Sequence, residues 1–159
     1  MADVDQPNDS VLTRVLSSGV DWFGREYTRQ LRRSLGLDYG RRDDWVSEVG
    51  FDGDGVPDDV YFYVILAAID EASDDETLLW CIADGPVDHL VGRDWERWGP
   101  RFHSERSAPS VDLMFRVMQE SLRSEGHDCG WWDDHCFGPR QTRKFTSKLE
   151  RQRAHRRHR

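Results

Sequence analysis

Four residues with metal-ligating chemistry crowd one short stretch of the chain: His127, Cys129, His135 and Cys136. Thiolates and imidazoles are the ligands zinc prefers. The order His-x-Cys-x5-His-Cys is not a paired C-x2-C arrangement, and the adjacent His135 and Cys136 point apart unless the backbone turns sharply between them. The stretch reads either as a soft-metal site or as a loop with partly buried cysteines and incidental histidines. The same residues supply the types for a Cys nucleophile and a His base, but no glycine-rich oxyanion or nucleophile-elbow pattern accompanies them. No P-loop or dinucleotide fingerprint occurs elsewhere. The expectation is a non-enzymatic protein with no cofactor.

A second cluster, Asp52, Asp54, Asp58 and Asp59, resembles part of a calcium loop. With Gly55 as the loop glycine, Gly50 falls at the first ligand position and Tyr61 at the last, where a bidentate carboxylate is required. Most of the ligand set is missing. A tight turn followed by a helix N-terminus, which favours negative charge, accounts for the same residues.

Charge is the strongest signal. The 159 residues carry a formal charge of −8, but unevenly. Residues 1–139 hold 29 acidic and 13 basic side chains, and residues 140–159 hold one and nine. The chain thus divides into a frayed N-terminus at 1–9, an acidic domain at 10–139 and a basic tail at 140–159. The tail cations Arg140, Arg143, Lys144, Lys148, Arg151, Arg153, Arg156 and Arg157 suit phosphate neutralisation, hence nucleic acid or a ribosome. The tail can equally serve an acidic partner, the chain's own body, or solubility alone. The acidic body suits the opposite partner, a basic protein surface, because complementary charge speeds and selects association. Trp and Arg are common interface anchors. Six tryptophans (Trp22, Trp45, Trp95, Trp98, Trp131, Trp132) supply more aromatic area than a small core needs. Trp95, Trp98, Trp131 and Trp132, with Asp133 and Asp134, are the expected partner-binding residues. The ordinary alternative places these tryptophans in the core and the acids on a solvated face.

The elements that must position these groups follow from apolar spacing. Asp9 or Ser10 caps a first helix with Val11, Leu12, Val15 and Leu16 on one face. Val20, Phe23, Tyr27 and Leu31 predict a helix from about 20 to 35, ended by Gly36. Trp45, Val46 and Val49 form one buried turn. The apolar run 60–69 follows Asp58 and Asp59 and reads as a buried helix, with a buried strand as the competing reading. Ser73-Asp-Asp-Glu76 is a capping box for the helix carrying Leu78, Leu79, Trp80 and Ile82. Asp84-Gly85-Pro86 stops that helix and starts another with Val87, Leu90 and Val91 inward. Trp95 and Trp98 share a helical face. Pro109 opens a last helix, with Val111, Met114, Phe115, Met118 and Leu122 inward and Gly126 at its end. Pro139 introduces a basic segment that can be partly helical through Phe145 and Leu149.

The expected fold is all-α: a compact bundle or irregular helix-hairpin stack of five to seven short helices with a basic C-terminal tail. Seven Trp, four Tyr and seven Phe exclude a fully disordered chain. No window approaches the apolar length of a membrane span, so no membrane partner is expected. Three cysteines, an odd and sparse count, and a polar N-terminus without a leader pattern point to the cytoplasm. Twenty Arg against two Lys suggest a bacterial source.

The segments Ile82-Ala83-Asp84-Gly85-Pro86-Val87-Asp88-His89-Leu90-Val91 and Phe115-Arg116-Val117-Met118 carry a resemblance. Over residues 58–122 the chain resembles an uncharacterised bacterial all-helical domain family with an Ala-Gly-Pro-Leu-Glu-x-Leu-Leu motif and a later Phe-Arg-x-x-Leu. Here Val87-Asp88 stands where that motif has Leu-Glu, and Asp84 precedes the Gly-Pro pair. The resemblance implies an all-α fold and no transferable activity. The expected role is a protein-binding module, immunity-, antitoxin- or inhibitor-like. The alternative is a nucleic-acid- or ribosome-associated accessory protein using the tail.

Overall fold

The structure, a computed structural model, describes residues 9–36, 44–124 and 126. Within them the chain is all-α: α1 (Asp9–Ser18), α2 (Val20–Ser34), α3 (Asp44–Asp52), α4 (Asp58–Ala72), α5 (Glu76–Ile82), α6 (Asp88–Arg93), α7 (Trp95–Ser104) and α8 (Pro109–Ser124). A π-helical turn, Ala83–Val87, joins α5 to α6 without a break, so these form one continuous helix and the described residues contain seven helices.

The run 60–69 is helical and central. Tyr61, Phe62, Val64, Ile65, Ala68, Ile69 and Ala72 of α4 are all buried. A helix apolar on more than one face must be enclosed by neighbours. Helices α2, α5 and α8 pack against it. Burying each large apolar side chain contributes about 1.5–3 kcal/mol, and α4 buries seven residues at the centre of the core.

The α2–α4 crossing is close because α2 offers no Cβ there. A Cβ on Gly24 would lie 2.5 Å from the Val64 carbonyl oxygen and 2.6 Å from Ala67 Cβ. One turn on, the buried Thr28 hydroxyl lies 3.1 Å from the Gly24 carbonyl oxygen and 3.0 Å from that of Ala68. Its single proton serves these two acceptors, one on each helix. On the far side, Trp80 Nε1 donates to Ser121 Oγ at 3.0 Å and ties α5 to α8.

Two local expectations are corrected. The cap of α5 is Asp75, whose side chain accepts from Leu78 N at 3.1 Å. Ser73 instead ends α4 with φ 56°, so its backbone is committed to closing one helix and it does not open the next. Asp84-Gly85-Pro86 does not stop the helix. Proline has no N–H to give and its ring crowds the carbonyl four residues back. The wider π turn passes Pro86 without ending the helix.

Candidate functional site

The structure separates the two tryptophans expected to act together. Trp95, on the first turn of α7, is 42% exposed, whereas Trp98 is 0% exposed. Trp98, Gly99 and Phe102 form the inward stripe of α7. The Trp98 ring stacks on Phe62 at 5.5 Å and 28°. Trp98 is therefore a core anchor and offers no docking surface, which corrects its assignment as a partner-binding residue. Its indole N–H finds no acceptor among the described residues. Trp131, Trp132, Asp133 and Asp134 lie outside the described residues, as do the metal candidates His127, Cys129, His135 and Cys136. The tail residues Arg140, Arg143, Lys144, Lys148, Arg151, Arg153, Arg156 and Arg157 also lie outside them.

Three of the four aspartates of the 52–59 cluster have side chains engaged by the fold. Asp52 Oδ1 accepts from Asp54 N at 3.0 Å and closes the turn. Asp58 pairs with Arg93. Asp59 Oδ1 accepts from Arg97 at 2.9 Å and from Arg101 at 3.0 Å. Hydrogen bonding from Arg101, then from Arg97, holds the Asp59 carboxyl below the usual carboxylate range. No group of three or more His, Cys, Asp or Glu is placed to hold a metal ion among the described residues. Arg93, Arg97 and Arg101 recur every fourth residue, and each covers an aromatic ring. Arg93 lies 5.7 Å from the Tyr61 centroid, Arg97 4.5 Å from Trp98 and Arg101 4.4 Å from Phe62. Arg106 repeats the arrangement over Phe115 at 4.9 Å while bonding Asp112. An aromatic ring, an aspartate and a guanidinium thus form a recurring unit.

Phe51 is not part of such a unit. It lies in the last turn of α3 and is 49% exposed, yet its backbone is held firmly. The buried Tyr61 hydroxyl lies 2.9 Å from the Gly50 carbonyl oxygen and 2.8 Å from that of Phe51. The Arg93 guanidinium donates to the Asp52 carbonyl. The Phe51 ring sits against the π turn, where a Cβ on Gly85 would come within 3.1 Å of its Cε2. It meets the His89 ring edge-on at 4.6 Å and 74°. No guanidinium of the described residues lies over it. Asp54 is exposed in the same turn, and Asp84, also exposed, precedes the glycine against which the ring rests.

The charge along this part of the sequence is one-sided. Residues 43–92 contain fourteen Asp and Glu and no Lys or Arg. From residue 44 on, this span runs from α3 through most of α6. Asp70, Asp74, Glu76 and Asp84 are exposed. Within this span the Cys81 thiol is pushed up by burial and then by Asp84 and Asp75, so it is held protonated and is not an activated nucleophile. Burial likewise raises the Tyr27 and Tyr61 hydroxyls.

Sequence spacing named Gly85 only as part of a helix stop and His89 only as a residue more suited to surface or core than to a ligand role, and it did not bring either together with Phe51. The available signals were an apolar residue directly before an Asp-Gly turn and a proline inside a helical pattern. No helix among the described residues is long and apolar enough to cross a membrane. Neither a protein-family model, nor a curated protein, nor a solved structure matches the chain.

Proposed function

We propose that this chain is a cytoplasmic protein-binding module whose acidic helical body docks on a cationic protein, in the manner of an immunity, antitoxin or inhibitor protein. The observation that carries this reading is the fifty-residue span 43–92, which holds fourteen acids without a single Lys or Arg. Such a field attracts and orients a basic partner, and its effect weakens as salt rises. Exposed Trp95 and Phe51 supply the apolar area that an electrostatic encounter needs in order to become a stable complex.

The test is affinity recovery from native lysate at low and high salt, with mass spectrometry of what is retained. The full chain is compared with Asp70→Lys/Asp74→Lys and with a tail variant, Arg151→Gln/Arg153→Gln/Arg156→Gln/Arg157→Gln. The expected result is a basic protein retained at low salt by the native chain and the tail variant, and lost with the acid variant. Retention unchanged by Asp70→Lys/Asp74→Lys refutes the reading. A second reading, nucleic acid or ribosome contact, rests on the nine cations of residues 140–159. It is the one supported if only the tail variant loses its partner.

A further inference from the structure

At four places an aromatic ring, an aspartate and a guanidinium come together: Arg93 on Tyr61 with Asp58, Arg97 on Trp98 with Asp59, Arg101 on Phe62 with Asp59, and Arg106 on Phe115 with Asp112. Phe51 has the ring and the acids but no guanidinium over it among the described residues. We propose that Phe51, seated on the π turn beside His89, is a docking platform for an Arg- or Lys-bearing polypeptide segment of a partner protein. This rests on the protein-binding reading and names the site and chemistry of the contact.

Three observations support it. First, the platform is pre-organised. The Tyr61 hydroxyl and the Arg93 guanidinium hold the backbone on either side of Phe51, and Gly85 and His89 position its ring. An aromatic group already held in place loses little freedom on binding. Second, about half of Phe51 stays in water, at 49% exposure, although the ring is large enough to bury. Third, the charge fits. Asp54 shares its turn and Asp84 adjoins Gly85, while Arg93 is already engaged by Asp58 and by the Asp52 carbonyl. A guanidinium or ammonium over the Phe51 face gains the ring attraction and the field of the exposed Asp54 and Asp84 in the flanking segments. A neutral apolar segment gains only apolar contact with the ring, and an acidic one is repelled.

The test is fluorescence anisotropy of the full chain with three dye-labelled twelve-residue peptides. One alternates Arg with Gly and Ser, one carries Glu in place of Arg, and one is neutral with Leu and Phe. The native chain, Phe51→Ala, Phe51→Tyr, Asp54→Asn/Asp84→Asn and Asp70→Lys/Asp74→Lys are compared, with far-UV circular dichroism confirming each fold. The Arg peptide is expected to bind best. Phe51→Ala should weaken it about five- to tenfold, Phe51→Tyr should restore it, and Asp54→Asn/Asp84→Asn should weaken it. If Phe51→Ala binds as the native chain does while Asp70→Lys/Asp74→Lys loses binding, the platform is refuted and the acidic-body reading stands. Preference for the neutral peptide overturns the cationic occupant. Absence of any peptide binding overturns the platform, while lysate recovery decides the broader reading independently.

Discussion

Replacing Gly24 with alanine sets helix propensity against tertiary packing. On propensity alone, Gly→Ala inside a helix stabilises by about 1 kcal/mol. The new Cβ would sit 2.5 Å from the Val64 carbonyl oxygen, 2.6 Å from Ala67 Cβ and 2.9 Å from Ala68 N. Two of these three are backbone atoms and cannot rotate away, so α2 and α4 must separate by about an ångström to reach ordinary contact distance. Overpacking of this kind costs about 1–3 kcal/mol. Separation also stretches the 3.0 Å contact from Thr28 Oγ1 to the Ala68 carbonyl oxygen, a buried hydrogen bond worth about 1 kcal/mol. The net expectation is a loss of about 1–3 kcal/mol. Gly92 is the matched control: it is helical and exposed, and a Cβ there meets nothing within 4 Å. Gly92→Ala should therefore be neutral or stabilising by up to about 1 kcal/mol. At about 4 °C per kcal/mol, the two variants should melt roughly 10 °C apart by far-UV circular dichroism, with the native chain between them or level with Gly92→Ala. Adding Ala67→Gly to Gly24→Ala should restore only part of the loss, because the carbonyl contact remains. A Gly24→Ala chain melting at or above the native temperature would refute the close α2–α4 crossing.

Asp75→Ala should cost about 1 kcal/mol in urea unfolding, the value of an N-cap. Ser73→Gly should gain about 1 kcal/mol by relieving φ 56°; a loss at Ser73 as large as that at Asp75 would reinstate the capping box. Burial, then the nearby Arg106 guanidinium, pulls the His103 imidazole below its ordinary pKa. The unfolded chain therefore binds that proton more readily, and the His103 contribution to stability falls as pH drops through its unfolded pKa. His103→Gln should flatten stability between neutral and mildly acidic pH, measured by urea midpoints; an unchanged pH slope would contradict this.

The helices were legible because apolar spacing depends on a residue's own neighbours along the chain. The inward faces of α2 and α8 were read from Phe23 and Tyr27 and from Val111, Met114, Phe115 and Met118, all buried. The helical reading of 60–69 followed from Asp58 and Asp59 at its start. Local signals failed where two mechanisms competed for the same residues. Ser73 could cap α5 or close α4. Pro86 could end a helix or be absorbed by a π turn, and only packing against α3 and α8 selected between these.

The sequence by itself determined the all-α class and the acidic span, because periodicity and charge are properties of residue order. Tertiary structure decided which like residues have unlike roles. Trp95 and Trp98 are three apart on one helix, yet Phe62 takes Trp98 into the core while Trp95 remains 42% exposed. Asp58 and Asp59 are committed to α6 and α7 by arginines more than thirty residues away, whereas Asp54 and Asp84 remain exposed. Burial and pairing depend on which helices meet, and that arises from their packing together around α4.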